Sequence, residues 1–280
     1  MNLRDIKLIA FDLDGTALNS SKQFSERTLE AVRGAIGAGK YVVPCTGRQI
    51  FNIPPGLLEI PGVSFAITDN GASVYGMPER RLLYARSFSG ETALSILELS
   101  RSLKAVCFGT NGIEGALDEK GRGWHDGETQ EMIREHRRVW NPPLADLESW
   151  VREGKQEFNK LTILFANPME RMIAYEQFLN IALADITSSD IDNIELMPQG
   201  TNKGDALRFV ARETGVDMGR IMAIGDNYND MEMIKSAGYG VAMGNGVEVL
   251  KQAAVSVTAS CDEDGVAKAI ESVLTDRVPG

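Results

Sequence analysis

What most limits the fold of this chain is a set of short, nearly continuous apolar runs, rich in β-branched residues, that each stop at a small or polar residue. They are Leu8 to Phe11, Tyr41 to Cys45, Phe65 to Thr68, Ile221 to Ile224, Gly240 to Met243 and Val255 to Thr258. Runs without polar alternation suit strands buried on both faces, as in a parallel sheet covered by helices. Helical patterns lie between them. Ser25 is placed to cap a helix that aligns Leu29, Val32 and Ile36 before Gly39; Leu207, Val210 and Ala211 mark another before Gly215, and Met231, Ile234 and Ala237 a third before Gly238. This alternation predicts right-handed βαβ crossovers and an α/β core with a Rossmann-like, doubly wound, mainly parallel sheet.

The rhythm lapses from about Ala85 to Asp190, where all three tryptophans (Trp124, Trp140, Trp150) and Gly/Asp/Glu-rich loops such as Gly109 to Gly123 occur. It then resumes. The expected organisation is a core built from residues 1–84 and 191–280, with an inserted α+β domain over residues 85–190. A length of 280 residues agrees with two domains.

Charge and cysteine usage narrow the partners. With 39 acidic against 29 basic residues the formal charge is -10, which removes the usual electrostatic route to nucleic acid or anionic lipid, so an anionic substrate needs local positive charge. Cys45, Cys107 and Cys261 are odd in number and lack C-x-x-C spacing, which argues against a disulfide framework or a zinc knuckle and for a reducing cytoplasm. The apolar run in MNLRDIKLIAFDLDG is too short for a signal peptide, and no later stretch approaches the roughly 18 apolar residues of a membrane span. The sequon at Asn19 is therefore read as chance.

Candidate chemistry begins at Asp12-Leu13-Asp14-Gly15-Thr16, where two carboxylates stand two residues apart at the end of the first apolar run and so face one side. Open α/β sheets hold ligands at that end, and Gly15 permits a sharp turn whose N–H groups meet an anion. An acidic turn after a strand reads the same way, so the pair needs support. It comes from Gly225-Asp226-Asn227-Tyr228-Asn229-Asp230, a second acidic cluster at the end of another buried run. Gathering Asp12, Asp14, Asp226 and Asp230 at one edge creates repulsion of about 4 kcal/mol per pair at 4 Å for an effective dielectric near 20, which requires a cation. Hard oxygen donors without histidine or thiolate select Mg2+ over zinc. Thr46-Gly47-Arg48 offers a hydroxyl, an amide and a guanidinium at the same edge, and Lys203, in Asn202-Lys203-Gly204, can bring a point charge to a phosphate.

With these motifs in place the sequence resembles the haloacid dehalogenase-like phosphohydrolase superfamily, and within it the Cof-type branch, whose large cap lies between the second and third motifs. The resemblance rests on DLDGT at Asp12 to Thr16, TGR at Thr46 to Arg48, NGA at Asn70 to Ala72, NKG at Asn202 to Gly204, GDNYND at Gly225 to Asp230 and AMGNG at Ala242 to Gly246. It implies that Asp12 attacks phosphorus to form an aspartyl-phosphate, while Asp14 protonates the leaving oxygen and then activates water. Thr46 and Lys203 complete the implied catalytic set, and Leu13, Thr46, Gly47, Arg48, Asn70, Lys203 and Asn229 are the implied phosphate and substrate contacts. Mg2+ is expected on the Asp12 carboxylate, the Asp14 carbonyl and the Asp226 carboxylate, with Asp230 supporting it. Asn202 stands where serine is frequent in this branch.

The expected function is Mg2+-dependent hydrolysis of a small phosphorylated metabolite, a sugar phosphate above all, with a cap that closes over the site. A phosphomutase is the alternative within the same chemistry; a receiver-like phosphate-binding module is the alternative outside it. No P-loop and no strand-linked G-x-G-x-x-G is found. His125 and His136 match no metal spacing and read as helix-face residues, and the tryptophans read as anchors of the insert's own core.

Overall fold

The structure, a computed structural model, describes residues 3–139, 142–154, 157–180, 184–188 and 191–275. Its strands in chain order are β1 (Leu8–Phe11), β2 (Tyr41–Pro44), β3 (Phe65–Thr68), β4 (Ser73–Gly76), β5 (Arg81–Ala85), β6 (Ala105–Thr110), β7 (Gly115–Asp118), β8 (Leu144–Ala145), β9 (Lys160–Phe165), β10 (Ala184–Thr187), β11 (Asn193–Pro198), β12 (Ile221–Gly225), β13 (Tyr239–Ala242) and β14 (Ser256–Val257). The chain forms two compact units, Met1–Tyr84 with Asn202–Gly280, and Ala85–Thr201. Among the described residues no helix is long and apolar enough to cross a membrane.

The first unit is the Rossmann-like α/β core. Its five-stranded sheet runs β14-β13-β12-β1-β2 with every neighbouring pair parallel. Side-chain alternation along these strands builds two hydrophobic layers. Ile9 and Phe11 join Val42, Met222, Ile224 and Val241 on one face, covered by helices Glu26–Gly37 and Gly265–Thr275. Leu8 and Ala10 join Val43, Ile221, Ala223 and Ala242 on the other, under helices Lys203–Thr214, Met231–Ser236 and Glu248–Ala253. Each large side chain fully buried this way contributes about 1.5–3 kcal/mol. The helix ends follow the sequence signals. Ser25 Oγ accepts the Thr28 N–H at 3.1 Å, and Gly215 ends the Lys203–Thr214 helix in the left-handed region at φ 67. Because β2 lies on one side of β1 and β12 on the other, the chain reverses its order of strand addition between β1 and β12. That switch point leaves a crevice at the carboxyl ends of both strands.

The second unit carries a six-stranded sheet of order β10-β11-β9-β6-β7-β8, antiparallel except for β7 with β8. It closes its own core: Phe88, Ile96, Leu97, Phe158, Ile163 and Phe178 form one cluster, and Val106, Phe108, Leu117 and Ile133 another, with Trp124 against it. Trp150 stacks on Phe158 with ring centroids 6.5 Å apart, whereas Trp140 lies outside the described residues. Arg101 donates to both oxygens of buried Asp118 at 2.6 and 2.9 Å and pairs with Asp146 and Glu148. The unit extends to Thr201, past the residue-190 boundary read from the sequence, because β11 pairs with β9 and β10. β11 is buried along its whole length, and hydrophobic periodicity does not say which sheet a buried strand joins.

Candidate active site

The crevice between β1 and β12 gathers the acidic motifs. Asp12 follows β1 and is fixed by its N–H donating to the Ile224 carbonyl at 3.0 Å. Asp226 follows β12, and Thr16 Oγ1 donates to its Oδ1 at 2.8 Å, tying the first turn to the second. Gly15 makes this approach possible: it sits at φ +77, and a Cβ there would collide with the Asp226 carboxylate. Asp230 closes a one-turn helix, Tyr228–Asp230, and its Oδ2 accepts the Asp226 and Asn227 N–H groups at 2.9 and 3.1 Å. Oxygens of Asp12, Asp226 and Asp230 lie within 4.8 Å of one another.

Lys203 sits in their midst. It is the first residue of the Lys203–Thr214 helix, where the dipole disfavours a cation, and its side chain is 0% exposed. Two carboxylates outweigh both penalties: Nζ donates to Asp12 Oδ1 at 2.7 Å and to Asp230 Oδ1 at 2.6 Å. Burial alone would push this ammonium's pKa down, but Asp12 and Asp230 hold it above its ordinary value, so it stays charged. One buried cation against three carboxylates leaves the site short of positive charge. Burial, with repulsion from Asp230 and Asp226, pushes Asp12 up against the pull of Lys203, and burial with repulsion from Asp230 pushes Asp226 up to about 6. A hard cation fits this donor set, which contains carboxylate oxygens and neither imidazole nor thiolate. Asp12 and Asp226 are its better ligands, since both Asp230 oxygens are engaged by Lys203 and by backbone N–H groups.

Asp14 has a different environment. Arg48 grips it with Nε to Oδ2 at 2.5 Å and Nη2 to Oδ1 at 2.7 Å, and Lys22 adds a bond at 3.0 Å. Burial pushes the Asp14 carboxyl up, but Arg48 and Lys22 outweigh it and hold the group below its ordinary range. Here Arg48 is therefore a partner of Asp14. No sequence motif points to Lys22; it arrives on a hairpin closed by pairing of Leu18 with Phe24, a feature that no linear spacing reveals.

The remaining candidates fall around this centre. Thr46 is buried beside the end of β2 and accepts the Arg48 N–H on Oγ1 at 3.1 Å. The Asn70 N–H donates to the Thr46 carbonyl at 3.1 Å, and Asn70 Oδ1 accepts from Asn229 Nδ2 at 3.1 Å. Gly47 lies so close that a Cβ would press on Asn70 Oδ1 at 2.8 Å. The Leu13 side chain belongs to the hydrophobic core, which leaves only its backbone to face a ligand. Asn202 caps the Lys203 helix by accepting the Asp205 N–H at 2.8 Å. His125 is exposed at the end of the single turn Arg122–His125, and the His136 side chain lies outside the described residues.

Comparison with known proteins supplies the family. A sequence model of the haloacid dehalogenase-like hydrolases matches residues 9–270. The chain is 33% identical over 270 residues to 5-amino-6-(5-phospho-D-ribitylamino)uracil phosphatase YcsE of Bacillus subtilis (strain 168), covering 95% of each. It is 31% identical to Phosphatase YwpJ of the same organism, over 96% of this chain and 100% of that one. The crystal structure of a haloacid dehalogenase-like hydrolase from Bacteroides thetaiotaomicron matches with a TM-score of 0.78 at 29% identity, covering 96% of this chain and 99% of the other.

Proposed function

Since this chain belongs to the haloacid dehalogenase-like hydrolases, in their Cof-type branch, we propose that it is a Mg2+-dependent phosphatase of small phosphorylated metabolites, with sugar and polyol phosphates as the preferred class. The observation that carries this reading is the buried Lys203 bonded to both Asp12 and Asp230 beside Asp226 at the switch point. The name of the Bacillus relative points to a phosphate on a ribityl chain, in keeping with a polyol phosphate.

In this reading the Asp12 carboxylate attacks phosphorus, the bond from phosphorus to the ester oxygen breaks, and Asp14 donates its proton to the departing oxygen. Asp14 then takes a proton from water, whose oxygen attacks the aspartyl-phosphate, releasing inorganic phosphate and restoring Asp12. Lys203 and the Thr46 hydroxyl hold phosphoryl oxygens, and the Asn229 amide, steadied by Asn70, adds a donor. Asp12, the Asp14 carbonyl and Asp226 would hold Mg2+, with Asp230 fixing Lys203 and the Asp226 turn. Bound there, Mg2+ supplies the positive charge that the carboxylates and the transferring phosphoryl group both need. Asp14 is ionised while Arg48 grips it, as a base must be; its acid step requires Arg48 to turn towards the anionic substrate.

Incubating the protein with a panel of small phosphate monoesters and Mg2+ is expected to release inorganic phosphate, and chelation is expected to stop it. Isomerisation of a sugar phosphate without phosphate release would instead identify a mutase, and a stable phosphoprotein with no release from any ester a receiver-like module.

A linked prediction concerns pH. Asp226 is raised above its unfolded-chain value, so its contribution to stability is fully present below about pH 4 and lost as pH rises through about 6. The loss is on the order of 2–3 kcal/mol. Mg2+ would relieve the same repulsion, so its addition is expected to raise Tm by several degrees at pH 7.5 and hardly at all at pH 5. Equal Tm shifts at both pH values would contradict Asp226 as a ligand.

A further inference from the structure

We infer that Asn245 is a positioning residue that sets the affinity for Mg2+ by tying the Asp14–Thr16 turn to the Asp226 turn, an inference that rests on the metal site proposed above. Asn245 is exposed, yet both ends of its amide are used across long sequence separations. Nδ2 donates to the Gly15 carbonyl at 2.8 Å, and Oδ1 accepts the Cys261 N–H at 2.9 Å. A carbonyl only accepts and a backbone N–H only donates, so these partners fix which way the amide points.

The loop that carries Asn245 is itself anchored to the other half of the site. The Met243 N–H donates to the Gly225 carbonyl at 2.9 Å, and the Val247 N–H donates to the Asp226 carbonyl at 2.9 Å. Asn245 thus transmits the position of the Asp226 backbone to the Gly15 peptide, which immediately follows the Asp14 carbonyl. Thr16 Oγ1 on Asp226 makes the reciprocal connection at 2.8 Å. Mg2+ tolerates little departure from octahedral geometry, so two turns that each bring a ligand must keep a fixed separation. Outer contacts that orient metal ligands typically govern affinity by about 10- to 100-fold.

The test is calorimetric titration of the substrate-free protein with MgCl2 at pH 7.5, with Tm measured without Mg2+. Asn245→Ala is expected to weaken Mg2+ binding by about 10-fold. Asp262→Ala is the control. Asp262 Oδ1 accepts the Ser20 N–H at 2.8 Å, so its loss loosens the same C-terminal segment without touching Gly15, and affinity is expected to stay within about twofold. Asn245→Asp keeps the acceptor for Cys261 but sets an oxygen against the Gly15 carbonyl; it is expected to weaken binding although its added charge alone would tighten it. That variant carries the same test should the alanine variant not fold. Unchanged affinity in the Asn245 variants, or an equal loss in Asp262→Ala, would overturn the inference. Absence of Mg2+ binding by the wild type would instead sink the proposed metal site itself.

Discussion

Asp12→Asn is expected to lose turnover of every phosphate ester that the wild type hydrolyses, by on the order of 10^4-fold or more, while remaining as stable as the wild type or more so. The amide keeps the shape of the side chain, and its oxygen still accepts from Lys203 Nζ, which stands 2.7 Å from Asp12 Oδ1. What disappears is the charge of the proposed nucleophile. The same change removes repulsion from Asp226 and Asp230, the groups that help push Asp12 up, so the fold gains where the chemistry fails. Phosphate release and thermal unfolding on one preparation separate the two effects. Turnover within tenfold of wild type would exclude Asp12 as the nucleophile.

Lys203→Met is the substitution expected to cost the most stability. The side chain is 0% exposed, and its removal leaves the buried carboxylates of Asp12 and Asp230 without their shared cation. Breaking a buried pair in this way costs about 3–5 kcal/mol, because the charge left behind is uncompensated. The deficit is expected to shrink at acid pH, where Asp12, already pushed upward by burial, takes up a proton in place of the lost partner. Wild-type Lys203, held above its ordinary value, keeps its stabilising contribution up to about pH 10 and loses it only beyond. Urea unfolding of both proteins at pH 7.5 and pH 5 measures the first trend, and unfolding of the wild type above about pH 10 the second. Adding Asp12→Asn to Lys203→Met should restore part of the loss, and strict additivity of the two changes would argue that they do not interact. Catalysis should fall too, but the stability result stands independently of any substrate.

The parts of this architecture that depend on periodicity are legible in the sequence. The apolar runs at Leu8, Tyr41 and Ile221 become adjacent parallel strands because burial on both faces leaves no room for polar alternation. Ser25 and Gly215 mark helix ends because their local hydrogen bonding and backbone freedom act within a few residues. The convergence of Asp12 on Asp226 follows from strand topology together with the ligand-binding end of such sheets. Other features depend on which distant side chains meet. The resemblance gives Asp230 a supporting part without saying what it touches; the turn Tyr228–Asp230 directs one of its oxygens to backbone N–H groups, and Lys203 takes the other. Arg48 reads as a substrate contact from its motif, but the fork geometry of guanidinium and carboxylate brings it to Asp14. The end of the insert is not legible because Asn193–Pro198 is assigned to its unit only by pairing with distant strands.

The self-sufficiency of the second unit has a consequence for how such a protein diversifies. Ala85–Thr201 owns two apolar clusters and the Arg101 network, and it supplies none of Asp12, Asp14, Lys203, Asp226 or Asp230. Mutations there replace none of the residues to which the proposed reaction assigns a role. Under the proposed function, this unit could be remodelled over generations while every group assigned to the chemistry is inherited unchanged in the other.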